Sequence, residues 1–241
     1  MKKMEAIKIL FLGEAHVGKT NIISQFRGNR FFEDSLQTIE FDYYVSKINI
    51  DDKNYKLILY DGPGQEKFRS LYLNYFKTAD IFIMVYDITN RESFEKLQNW
   101  LEKIKDEKSD YIIGVIGNKE DLHSDEKITR EEGLTFAKSH SFYFTSLSAK
   151  NNIEPLYYFI ESLVKRYLEL NPEKQSIYLI DEEERRKRRK ENRKACCQNE
   201  IYFPFMERFK GRVFQWYVPE WEFKKNKKKN SLIDSFKNQE N

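Results

Sequence analysis

Short apolar runs alternate along the first 170 residues with stretches whose apolar positions recur at helical spacing. The runs at 7–12, 41–50, 55–60, 81–87, 111–117 and 142–144 have the length and branched or aromatic content of strands. The stretches 18–26, 65–77, 91–105, 130–139 and 153–170 carry a helical pattern. Such alternation predicts an α/β domain, a mostly parallel six-stranded sheet with helices on both faces. The polar segment 51–54 between the second and third runs predicts a hairpin, and so one antiparallel strand. Ligands of such sheets sit beyond the carboxyl ends of the strands. The pair Asn171-Pro172 disfavours continuing the last helix. Residues 1–170 therefore form one expected domain. No internal repeat is visible.

The densest chemical signal follows the first run. Gly13-Glu-Ala-His-Val-Gly-Lys19-Thr20 has the spacing G-x-x-x-x-G-K-[ST], which cradles phosphate. An ordinary glycine-rich turn with a surface lysine gives the same letters by chance. The strand before it and the helix after it supply the setting the phosphate loop requires. Loop N–H groups surround phosphate oxygens, and the helix directs its positive end at them. Lys19 adds a charge for the outer phosphates, and the Thr20 hydroxyl suits Mg²⁺.

Two further segments refine this. Asn118-Lys119-Glu-Asp121 follows the fifth run. A carboxylate there accepts two parallel hydrogen bonds from guanine, and adenine offers no matching donor pair. Asp121 thus selects guanine. Taken alone the segment is a polar turn; paired with the phosphate loop it reads a base. Ser148-Ala149-Lys150 follows the sixth run and can close over the base. Asp61 ends the third run and is followed by Gly-Pro-Gly64-Gln65. An acid at a strand end suits the outer shell of Mg²⁺, Gly64 permits close approach to a terminal phosphate, and Gln65 can orient an attacking water. Thr38, between the two, offers a second metal hydroxyl.

In this order and spacing the chain resembles the Ras superfamily of small GTPases, most closely the Rab branch. The resemblance covers residues 6–170 and rests on GEAHVGKT, Thr38, DGPGQE, NKED and SAK. Rab-like character lies in TIEFDY, KLILYD and FIMVYDITNRESF. It implies the small G-protein version of the P-loop NTPase fold and a GTP/GDP switch in membrane traffic. It implies nucleotide contacts from Gly13, Ala15, His16, Val17, Gly18, Lys19, Thr20, Asn21, Thr38, Gly64, Asn118, Lys119, Asp121, Ser148, Ala149 and Lys150. It also implies that Phe31 stacks on guanine. Mg²⁺ falls to Thr20, Thr38 and Asp61, and catalysis to Gln65, Lys19 and Gly64. Effectors, an exchange factor and an activating protein would engage 31–42 and 61–77.

Three positions depart from the family pattern. Pro63 removes an N–H from a loop that must rearrange, and fixes its φ. His16 is bulky within the phosphate loop. Glu40 stands where Rab proteins usually carry glycine. These bear on hydrolysis, exchange and effector choice. They leave two functions of different class: a hydrolysing switch, which Gln65 favours, and a GTP-dependent binding module with little turnover, which Pro63 favours.

Composition adds the tail. Residues 171–241 hold 18 Lys/Arg against 12 Asp/Glu, net +6, whereas the first 170 hold 24 against 27, net −3. The basic run 185–194 precedes Cys196 and Cys197, the only cysteines. No cysteine framework or cysteine zinc site is possible with them. The run suits anionic lipid at about 1 kcal/mol per basic residue. Nucleic-acid binding or nuclear import fits its composition equally, and the neighbouring cysteines favour membrane. Rab proteins commonly end in two prenylated cysteines, but here 42 residues follow Asn199, and an internal pair is not read as a terminal prenylation signal. Residues 201–223 carry nine aromatics and lead into a lysine cluster, a pattern that suits a membrane interface; a coding extension without selected function accounts for it as well. Segments 171–199 and 200–241 are thus expected to be a charged tail and an extension. The expected place of action is the cytoplasm and the cytosolic face of an internal membrane, with no nucleic acid as partner.

Overall fold

The structure, a computed structural model, describes residues 6–33, 38, 40–64 and 69–174. The tail from residue 175 on, with its basic run and Cys196 and Cys197, lies outside the described residues, as do the aromatic extension and Gln65.

The strands are β1 (Ile7–Leu12), β2 (Asp42–Ile50), β3 (Lys53–Asp61), β4 (Ile81–Asp87), β5 (Ile112–Asn118) and β6 (Tyr143–Ser146). The helices are α1 (Lys19–Phe26), α2 (Arg69–Thr78), α3 (Arg91–Glu95), α4 (Leu97–Glu107), α5 (Arg130–Ser139) and α6 (Glu154–Leu170). One sheet of six strands runs in the order β2-β3-β1-β4-β5-β6. Every pairing is parallel except β2 with β3.

Alternation along the strands builds two cores. Ile7, Ile9 and Phe11 face one side with Ile22, Ile23 and Phe26 of α1 and Phe159, Ile160 and Leu163 of α6. Leu10 and Leu12 face the other with Phe76 of α2, Trp100 and Ile104 of α4 and Ala137 of α5. Strand β4 is buried throughout because both of its faces are covered.

Two local expectations need correction. The hairpin turn is Asp51-Asp52 alone, with φ of 49° and 61°. Left-handed conformation at both central residues matches the twist of the flanking strands, so Lys53 and Asn54 join the ladder instead of the turn. The helix expected over 91–105 is two helices. Its backbone opens at Lys96, where ψ is −9°. Lys96 Nζ there reaches Glu92 of the same helix at 2.7 Å and Glu14 of the phosphate loop at 3.2 Å, while Leu97, Trp100, Leu101 and Ile104 remain in the core.

Gly114 of β5 is set by packing. A Cβ there would lie 2.6 Å from Phe159 Cζ and 2.9 Å from Leu163 Cδ1, so helix α6 seats directly on the strand backbone. Overfilling a tight core costs about 1–3 kcal/mol. Gly114→Ala is therefore expected to lower the thermal midpoint by several degrees. A midpoint equal to wild type in calorimetry would show that α6 moves aside freely.

Candidate functional site

Strand register brings the motif loops together. Phe11 of β1 pairs with Asp61 of β3, and Asp87 of β4 pairs with Asn118 of β5. The loops leaving β1, β3, β5 and β6 therefore converge at the carboxyl edge. They enclose a cleft of about 440 Å³, of a size suited to a small-molecule ligand. Its lining includes Ala15, His16, Gly18, Lys19, Thr20 and Asn21 from the first loop and α1. Phe31, Thr38 and Gly64 come from the next two segments, and Asn118, Lys119, Asp121, Ala149 and Lys150 from the last two.

At the phosphate end, Lys19 Nζ donates to the carbonyls of Gly13 at 2.9 Å and Glu14 at 2.8 Å. Burial lowers its pKa to about 8, against the opposing pull of Asp61 and Glu14. The loop conformation uses left-handed backbone at His16, with φ of 63°, and at Gly18, with φ of 94°. Histidine tolerates that region better than most side chains. At Gly18 any Cβ would lie 2.4 Å from Asn118 Nδ2.

Thr20 Oγ1 donates to Asp61 Oδ2 at 2.6 Å and lies 3.0 Å from Thr38 Oγ1. Asp61 is fully buried, and its Oδ1 has no hydrogen-bond partner among the described residues. Burial raises its pKa, while the Thr20 hydrogen bond and the Lys19 charge oppose the rise. A buried carboxylate oxygen without a donor asks for a cation or its hydration shell. No cluster of three or more His, Cys, Asp or Glu occurs among the described residues. Two hydroxyls and one carboxylate form an all-oxygen set, which fits Mg²⁺ completed by phosphate and water.

The base end is built around Asn118. Its Nδ2 donates to Val17 O at 2.8 Å, and its Oδ1 accepts from Ala149 N at 3.1 Å. Ser148 Oγ donates to Asp121 and accepts from the N–H groups of Lys150 and Asn151. Lys119, left-handed at φ 69°, is held by Asp87 at 2.6 Å. Asn21 clamps Phe32 from both sides, donating to its carbonyl at 3.0 Å and accepting from its N–H at 3.1 Å. That clamp places Phe31 at the cleft, with Lys150 Nζ 6.0 Å from its ring centre.

Among the described residues, four expected site residues do not line the cleft. Val17 belongs to the core and offers its carbonyl to Asn118. Gly13 is pressed on β4, where a Cβ would meet Val85 O at 2.2 Å. Ser148 orients Asp121, and Asp61 stands behind Thr20. Sequence reading missed Glu33 and Leu122, which do line the cleft, and Asp87, which holds Lys119. Asp87 closes the fourth apolar run, which was its available signal. Glu33 had none.

Comparison with known proteins agrees with this geometry. The Ras family profile matches residues 8–169. The chain is 37% identical to Ras-related protein Rab-18-B of Danio rerio over 168 residues, which span 69% of this chain and 81% of that protein. The sheet order, the phosphate loop and the base loops are those of the P-loop small GTPase fold. The chain belongs to the Ras family: it is a Rab-like small GTPase, an enzyme that hydrolyses GTP.

Proposed function

We propose that this cleft binds GTP and GDP with Mg²⁺ and works as a switch for vesicle traffic. The observation that carries the residue assignment is the chain of contacts from Thr38 through Thr20 to Asp61, a buried carboxylate whose other oxygen lacks a donor. Thr20 and Thr38 would hold Mg²⁺ directly, and Asp61 would hold its water. The metal, when bound, neutralises charge on the phosphates. Lys19 turns its ammonium from the Gly13 and Glu14 carbonyls toward the outer phosphates. Backbone N–H groups from Ala15 to Thr20 complete the cradle. Asp121, with its rotamer fixed by Ser148, pairs with guanine, and Phe31 and the Lys150 stem cover the ring. Gly64 reports the terminal phosphate, and Gln65, outside the described residues, orients the attacking water. No arginine in these motifs is placed as a finger, so turnover awaits a partner that supplies one.

Family membership favours this hydrolysing switch over a module without turnover. Pro63, buried beside Gly64, would tune the rate. Segments 31–42 and 61–77 are the surfaces proposed for effectors and regulators, in part outside the described residues. Among the described residues no helix is long and apolar enough to cross a membrane. Attachment at a cytosolic membrane face is assigned to the basic run 185–194, drawn to anionic lipid. On this reading residues 1–170 are the GTP-binding domain, 171–199 the charged tail and 200–241 an extension.

The test is Thr20→Asn. A hydrogen bond to a charged group contributes about 1.5–3 kcal/mol. Affinity for Mg²⁺-GTP should therefore fall about 10- to 100-fold more than affinity for GDP, with circular dichroism unchanged. Equal losses for both nucleotides in calorimetry would remove Thr20 from the metal shell.

A further inference from the structure

Between the base end of the cleft and solvent lies an ion pair that neither phosphate binding nor hydrolysis uses. Lys150 Nζ stands 2.8 Å from Glu33 Oε1. The two residues belong to segments far apart in sequence, and both line the cleft. Each is anchored by a separate device. Glu33 follows Phe32, which Asn21 grips from both sides. Lys150 is seated by its N–H on Ser148 Oγ at 3.2 Å. The same ammonium lies toward the face of Phe31.

We propose that the Glu33–Lys150 ion pair is a clasp across the mouth of the base site that limits the rate at which bound guanine nucleotide leaves. The inference rests on the guanine-nucleotide reading above. A base held under Phe31 and Lys150 escapes only when these two segments part, and parting them breaks the pair. Its hydrogen bond and charge also hold the Glu33 carboxyl below its ordinary pKa and the Lys150 ammonium above its own. Both side chains are well exposed, at 71% and 48%. An exposed pair is weak and screened by salt. Such a clasp adjusts a rate within one order of magnitude and does not lock the site. It also responds to anything that competes for either charge, so a protein that inserts a carboxylate toward Lys150 or a cation toward Glu33 would open the base site without touching the phosphates.

The experiment loads the full chain with fluorescent GDP and chases it with excess GDP at low and high salt. The proteins are wild type, Glu33→Lys, Lys150→Glu and the double exchange Glu33→Lys/Lys150→Glu. Exposed ion pairs of this kind change an equilibrium about two- to five-fold. Glu33→Lys is expected to release nucleotide about two- to five-fold faster at low salt, and to lose the salt acceleration shown by wild type. Lys150→Glu also alters the cover of the base, so the deciding quantity is the coupling in the four-protein cycle. The double exchange should release more slowly than Lys150→Glu alone. Strictly additive effects, or an unchanged rate for Glu33→Lys, would overturn the clasp while leaving guanine binding intact. If wild type fails to retain GDP in the same assay, the guanine reading itself falls, and the clasp with it.

Discussion

Asp121→Asn is expected to invert the nucleotide preference, with affinity for GTP falling about 10²- to 10⁴-fold, a range set by two charge-assisted hydrogen bonds of about 1.5–3 kcal/mol each. The carboxylate offers acceptors to both guanine donors, whereas an amide turns one acceptor into a donor. That donor meets the exocyclic amine of guanine unfavourably and suits the carbonyl that xanthine carries in its place, while the amide oxygen still accepts from N1–H. Ser148 already donates to Asp121 and fixes its orientation, so the amide does not gain a second position by rotating. Affinity for XTP should rise as affinity for GTP falls. Competition binding with the two triphosphates measures both. A variant that still preferred GTP would detach Asp121 from base recognition.

The second large effect is expected at Gly64. A Cβ there would sit 2.2 Å from Ala15 N, 2.4 Å from Glu14 C and 2.5 Å from Ala15 Cα. All three are backbone atoms of the phosphate loop, and none can swing away as a side-chain end does. In Gly64→Ala the segment after β3 must therefore back off from the loop. A displacement near 1 Å at a positioned reacting group costs about 10²-fold in rate. Single-turnover hydrolysis should slow by about that factor, with GDP affinity nearly unchanged because the base contacts lie at the other end of the cleft. Loss of GDP binding in step with hydrolysis would mean that Gly64 supports the loop itself and not the response to the terminal phosphate.

Much of the architecture was legible because each layer repeats the same signal. Strand β4 announces itself by seven buried positions in a row, and Lys19 by the spacing of the loop that presents it. Where several contacts decide the outcome, the sequence was silent. At the break, one Lys96 ammonium reaches both Glu92 and Glu14, and Glu14 lies 82 residues away. The hairpin turn shrank because Asp51 and Asp52 both take left-handed backbone, which pairs of aspartates allow but do not advertise. The hydrogen bond by which Ser148 orients the Asp121 carboxylate was not legible from its motif. Glu33 became visible only when folding brought Lys150 to it.

Asn118 ties two segments that the chain itself keeps apart, Val17 at 101 residues and Ala149 at 31. Removing the amide that bridges them would release both segments at once, since neither bond substitutes for the other. A ligand that spans the same two segments does the work of this bridge from outside. Occupancy and cohesion of the domain are then two readings of one equilibrium, and each tenfold rise in free nucleotide above its dissociation constant adds about 1.4 kcal/mol to the unfolding free energy. The cell's guanine-nucleotide pool would thereby act as a chaperone for this chain, and a fall in that pool would destabilise the domain as it emptied the site.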